Sequence, residues 1–215
     1  MNASTNSTKH DAIRKVVNAS PVMPVMVIKE LESAIPLADA LLQGGINTLE
    51  ITLRTPIALE AITKIKRAFP HAIVGAGTII TPHDIDKAAS AGVDFLVSPG
   101  TSPKLVEALK HTDIPALPGV SSPSEAMSLY EEGFDHLKFF PAEAAGGVAM
   151  LKSINGPLPN LTFCPTGGIT TVNAPNYLAL SNVRCVGGSW LAPESLIVEK
   201  RWAEISELAR QATAL

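Results

Sequence analysis

The 215 residues are 46% hydrophobic and only 17% charged, against a usual charged share of about a quarter, and their formal net charge is −3. With no Lys/Arg cluster, these numbers argue against a nucleic-acid partner and indicate much buried surface, either in one large core or between subunits. Pro and Gly are spread along the chain without a linker segment, so one domain over 1–215 is expected, with residues 1–8 as a flexible polar tail.

The opening stretch "MNASTNSTKHD" is polar and lacks the apolar run of a secretory signal. No later run approaches the roughly 20 apolar residues of a membrane span, so a cytosolic protein without a membrane partner is expected. The sequons beginning at Asn2, Asn6, Asn18 and Asn160 are then chance matches. Two cysteines, Cys164 and Cys185, make no disulfide framework and read as free buried thiols.

After an amphipathic opening helix with Ile13, Val16 and Val17, short apolar or β-branched runs recur: "VMPVMVIK", "TLEITL", "AIVGAGT", "DFLVSPG", "PALPGV", "HLKFFPA", "TFCPTGG" and "VRCVGGS". Their centres, Met26, Ile51, Val74, Leu96, Leu117, Lys138, Phe163 and Val186, follow one another at steps of 21 to 25 residues. Between them lie segments with helical spacing. "LESAIPLADALLQGG" puts Ile35, Ala38, Leu41 and Leu42 on one stripe, and "TPIALEAITKIKRAFP" does so with Leu59, Ile62, Ile65 and Phe69. Pro or Ser/Thr opens several helices, at "TP" (55), "TPHD" (81), "TSPK" (101) and "SSPSE" (121). A closing helix carries Trp202, Ile205 and Leu208.

Strand then helix, eight times, predicts an α/β (β/α)8 TIM barrel with an additional N-terminal helix covering its bottom. An open doubly wound sheet would need a glycine-rich phosphate loop after the first strand, and "ELES" stands there instead.

In such a barrel the chemistry sits where strands end. In "TLEITLR", Leu49, Ile51 and Leu53 alternate with Glu50, Thr52 and Arg54, which predicts a strand with its polar side toward the lumen; an edge strand with a wet face is the alternative. Lys138 is anomalous in the middle of the apolar "HLKFFPAE", where a charged amine is costly to bury. One reading is a lysine whose stem packs while its ammonium reaches a carboxylate. The other is a Schiff-base nucleophile, which must be the neutral amine; an ordinary lysine is neutral in only about one molecule in two thousand at pH 7, so desolvation and a cation such as Arg54 would have to favour that form. Glu50 is the best-placed acid/base for the adjacent carbon, with Glu143 of "PAEAAGG" a weaker rival that could instead organise its loop. The glycines of "PTGGIT" and "VGGSW" fall after the seventh run and in the eighth, where barrels often hold phosphate on exposed N–H groups, although tight turns need glycine too. The histidines at 10, 71, 83, 111 and 136 show no ligand spacing, and no metal is expected.

In order along the chain, "GGINTLEITLRTP", "VGAGTI", "FLVSPG", "PGVSSPSEAM", "LKFFPAEAAGG", "FCPTGGIT" and "VGGSW" closely resemble the class I 2-keto-3-deoxy-6-phosphogluconate aldolases, over roughly 15 to 205. Members often also act on 4-hydroxy-2-oxoglutarate. The resemblance implies a cytosolic homotrimer of (β/α)8 barrels in the Entner–Doudoroff route, needing no cofactor and cleaving the phosphorylated keto acid to pyruvate and glyceraldehyde 3-phosphate. It implies Lys138 as imine former, Glu50 as acid/base working through water, Arg54 and Thr78 on the pyruvyl carboxylate, Pro99 and Phe140 lining the pyruvate pocket, and Gly167, Gly168 and Ser189 on the phosphate. Ala145 departs from the polar residue that relatives often carry. The preferred substrate among the phosphogluconate, its galactonate epimer and the unphosphorylated acid stays open, as does a non-covalent isomerase or binding protein built on the same barrel.

Overall fold

A computed structural model describes residues 3–215, with side chains from residue 9 onward. Of the tail expected over 1–8, residues 1 and 2 lie outside the described residues, and the backbone of 3–8 belongs to the first helix, α1 (Ala3–Asn18). Strands and helices then alternate as the 21-to-25-residue spacing predicts: β1 (Val22–Met26), α2 (Ala34–Gln43), β2 (Thr48–Thr52), α3 (Ala58–Ala68), β3 (Ile73–Gly77), α4 (Pro82–Ser90), β4 (Phe95–Val97) and α5 (Pro103–His111). The fifth run is cut by Pro118 into β5 (Ala116–Leu117) and β6 (Gly119–Val120), because proline has no N–H for the ladder. There follow α6 (Pro123–Glu131), β7 (His136–Phe139), α7 (Gly147–Asn155), β8 (Thr162–Pro165), α8 (Ala174–Leu178), β9 (Val186–Gly188), α9 (Glu194–Val198) and α10 (Trp202–Thr213).

Each strand pair is parallel, in the orders β5-β4-β3-β2-β1-β9 and β6-β7-β8. The Lys138 N–H donates to the Pro118 carbonyl (2.9 Å), and single bridges join Phe163 to Val183 and Thr166 to Gly187, so the two sheets run alongside one another at β5/β6 and at β8/β9. The protein therefore has an α/β fold of curled parallel strands sheathed in helices.

Local chemistry accounts for the helix starts. Thr81 and Ser122 cap α4 and α6 in reciprocal capping boxes with Asp84 and Glu125, Ser102 caps α5, and proline opens each. Thr55 does not cap α3: the helix begins at Ala58, and the Thr55 hydroxyl donates instead to the Ile28 carbonyl at 2.7 Å, tying the ends of β1 and β2 together. In α2, Leu37 takes the inward place while Ile35 is exposed, because the helix starts only at Ala34, after a 3-10 turn at Leu31–Ser33 that sets its rotation.

Two apolar clusters divide the interior. Leu49, Ile51, Val74, Leu137 and Phe139 face the outer helices, among them α10, whose Ile205 and Ala209 are buried. On the opposite strand face, Ile13, Val16 and Val17 of α1 pack with Met23, Phe95, Val97, Leu117, Cys164 and Cys185. The apolar side of the opening helix is thus packed against the inner side of the curled sheet. Among the described residues no helix is long and apolar enough to cross a membrane.

Candidate active site

The period of two along β2 sends Leu49 and Ile51 outward and Glu50 and Thr52 inward, and every residue of this strand is buried. The edge-strand alternative is thereby excluded: Glu50 is 1% exposed and flanked in register by β1 and β3. On β7 the same alternation turns Lys138, 4% exposed, to the inner side between β6 and β8. The two meet: Lys138 Nζ lies 3.2 Å from Glu50 Oε1, although 88 residues separate them in the chain. Phe140, half-buried just past β7, places its ring centroid 5.5 Å from Nζ. A charge pair so far from water persists only because each partner satisfies the other.

Gly77, at the end of β3, makes room for the carboxylate. A Cβ there would collide with Glu50 Oε1 and stand 2.9 Å from its Cγ and Cδ. The next residue, Thr78, has φ +64°, a left-handed conformation that costs a non-glycine residue on the order of 1 kcal/mol or more. That twist aims its hydroxyl outward to accept a hydrogen bond from Arg54 Nε at 3.2 Å, so Arg54 and Thr78 form one polar group at the strand ends. Pro99 follows β4. A side chain at Gly119, which is the register partner of Lys138, would strike the Pro99 backbone, so Pro99 borders the strand next to the lysine.

Beside Lys138 stands its register partner Cys164, in contact with Cys185; both are free thiols, and both are buried. The Cys185 thiol is pushed well up, by its contact with Cys164 first, then by burial and the negative charge of Glu50, and so stays protonated.

Gly167 and Gly168, with φ of +101° and +76°, turn the chain sharply after β8, and Ser189 is exposed directly after β9. Among the described residues the backbone N–H groups of Gly167, Gly168 and Ser189 donate to no protein acceptor. These donors share one rim of the sheet because β8 and β9 are bridged at Thr166 and Gly187. Glu143 is engaged by other partners: its backbone N–H donates to the Gly167 carbonyl (3.1 Å) and its carboxylate accepts from the Tyr177 hydroxyl. The structure thus favours the loop-organising reading of Glu143 over that of a rival base.

Sequence reasoning missed Gly77, Thr166 and Tyr177. Gly77 lies inside the quoted "GAGT" but was overshadowed by Thr78, and its role depends on a side chain from the neighbouring strand. Thr166 Oγ1 is buried with no hydrogen-bond partner among the described residues, beside Gly187 and the Gly167 turn. Its position before the glycine pair was the available signal. Among the described residues no group of three or more His, Cys, Asp or Glu side chains could hold a metal ion.

Comparison with known proteins bears on the same constellation. The family model for KDPG and KHG aldolase matches residues 13–208. A 2-dehydro-3-deoxy-phosphogluconate aldolase of Pseudoalteromonas atlantica is 49% identical over 93% of this chain and 93% of its own. The KHG/KDPG aldolase of Escherichia coli is 46% identical over 92% of each. A crystal structure of a KDPG aldolase from Legionella pneumophila, with pyruvate captured at low pH as a covalent carbinolamine intermediate, superimposes with a TM-score of 0.91 at 50% identity, covering 92% of this chain and 96% of that one. With strand ends, buried lysine–glutamate pair and family model in agreement, the chain belongs to the KDPG and KHG aldolase family.

Proposed function

We propose that the protein is a Schiff-base aldolase that cleaves 2-keto-3-deoxy-6-phosphogluconate to pyruvate and D-glyceraldehyde 3-phosphate, with Lys138 as the nucleophile and Glu50 as the general acid/base. The observation that carries this reading is the buried 3.2 Å contact between Lys138 Nζ and Glu50 Oε1. Glu50 is close enough to take the lysine proton, and the freed amine attacks the C2 ketone to give a carbinolamine. Glu50 returns that proton to the carbinolamine hydroxyl, which leaves as water, giving a protonated imine and a carboxylate ready to act again as base. Glu50 then removes the C4 hydroxyl proton, directly or through water; the electrons of the C3–C4 bond flow into the imine, and the aldehyde departs. The enamine is protonated at C3, and hydrolysis of the resulting imine frees pyruvate and the amine.

Arg54 and Thr78 hold the carboxylate end, Pro99 and Phe140 wall the pyruvyl group, and the free N–H groups at Gly167, Gly168 and Ser189 take the phosphate, with the spare Thr166 hydroxyl between. Binding energy at both ends then aligns the breaking bond. The name of the Escherichia coli relative supports a second substrate, 4-hydroxy-2-oxoglutarate, cleaved to pyruvate and glyoxylate by the same steps. Supporting architecture is a single domain over 1–215, closed as a (β/α)8 barrel with α1 as its plug. Exposed apolar side chains such as Ile80, Val172 and Val198 are consistent with contacts in a cytosolic homotrimer.

The test is kcat/KM on the phosphogluconate, its galactonate epimer and the unphosphorylated acid. A preference of at least about tenfold for the phosphorylated acids over the unphosphorylated one is expected from charge-assisted hydrogen bonds to phosphate; equal efficiency with and without the phosphate would remove the phosphate assignment.

A further inference from the structure

Glu143 ties three elements together. Through its backbone N–H it holds the Gly167 carbonyl, and the neighbouring Ala142 N–H holds the Thr166 carbonyl at 2.8 Å. Through its carboxylate it accepts from Tyr177, a fully buried residue of α8 whose hydroxyl needs a partner. Its side-chain stem lies against Gly168, where a Cβ would come within 2.7 Å of Glu143 Cγ in a backbone conformation that only glycine adopts readily. From the α8 side, Asn173 Nδ2 donates to the Gly168 carbonyl (3.1 Å) while its Oδ1 accepts from the Thr170 N–H (2.7 Å). The carbonyls of the turn are thus engaged from both sides, while among the described residues the N–H groups of Gly167 and Gly168 find no acceptor.

We propose that the Tyr177–Glu143 contact is a strut that fixes the Gly167–Gly168 turn in its phosphate-accepting shape, making Glu143 and Tyr177 positioning residues for the phosphate end of the substrate and not for the imine chemistry. The inference rests on the phosphate assignment given above. Burial, together with the hydrogen bond and charge of Glu143, pushes the Tyr177 hydroxyl well up, so it remains a donor throughout the neutral range. Glu143 itself is exposed, so once released its carboxylate is taken up by water and the turn relaxes without unfolding the domain.

Tyr177→Phe, Glu143→Ala and Glu143→Gln are compared with the unmodified protein on the phosphorylated keto acid, on its unphosphorylated counterpart, and by inhibition with inorganic phosphate. In Tyr177→Phe and Glu143→Ala, KM for the phosphorylated substrate and Ki for phosphate rise together by about tenfold, the equivalent of one hydrogen bond of about 1.4 kcal/mol. Their kcat, and kcat/KM for the unphosphorylated substrate, stay unchanged. Glu143→Gln, whose amide oxygen still accepts from Tyr177, stays near the unmodified protein. Parallel losses on both substrates, or an unaltered phosphate Ki in Glu143→Ala, would overturn the strut. Failure of phosphate to inhibit the unmodified protein would instead remove the phosphate site, and the strut's purpose with it.

Discussion

Gly77→Ala probes how tightly the acid/base is held. The added methyl would stand 2.9 Å from Glu50 Cγ and Cδ, about 0.5 Å inside the 3.4 Å at which ordinary contact begins, and it would overlap the carboxylate oxygen more deeply. Gly77 lies in a strand paired on both sides, so the glutamate has to give way, and its carboxylate moves by about 1 Å from its 3.2 Å contact with Lys138. A misplacement of this size costs roughly 100-fold in rate, whereas the overpacking costs about 1–3 kcal/mol of stability, which a domain of typical stability survives. Steady-state release of pyruvate, read alongside urea unfolding, separates the two effects. A folded Gly77→Ala protein with kcat/KM within threefold of the original would refute the claim that Glu50 is positioned through this glycine.

Other consequences follow from the same geometry. Lys138→Ala abolishes cleavage and, by stranding a buried carboxylate, lowers stability by on the order of 3–5 kcal/mol, whereas the double variant Lys138→Met, Glu50→Leu recovers most of that loss and stays inactive; denaturant unfolding of the three proteins checks both parts. Glu125 accepts from the Ser121 backbone N–H, the largest influence, and from the Ser121 hydroxyl and Ser122 N–H, which together outweigh burial and hold its carboxyl below the usual range. Because the folded value is the depressed one, its stabilisation is complete above the unfolded value and is lost as pH falls through the folded one. The advantage of the unmodified protein over Glu125→Gln, up to about 1 kcal/mol at pH 7 for an exposed cap, should therefore shrink below about pH 4, and a constant difference across that range would contradict it.

The sequence revealed much of the fold, because hydrophobic period and helix caps are local properties. Thr81, Ser102 and Ser122 start helices where their neighbours alone require it. Ile35 fails the same reading: a 3-10 turn at Leu31–Ser33 precedes its helix, and the side chain is exposed. In the site, Glu50 stood out on the polar side of an alternating strand and Lys138 as a charged residue in an apolar one, and the structure buries the two side chains against each other. Gly77 and Tyr177 did not stand out, since each acts on a side chain distant in sequence, Glu50 for one and Glu143 for the other. The two readings of Lys138 turn out to be compatible geometrically: its ammonium does reach a carboxylate, and that carboxylate is the proposed base.

Trapping discriminates the covalent reading from its rivals. Incubation with pyruvate and borohydride, followed by peptide mass mapping, should show one reduced pyruvyl adduct per chain, on Lys138. An unlabelled protein, or an adduct confined to another lysine while Lys138 stays unmodified, would contradict imine formation within the Lys138–Glu50 pair.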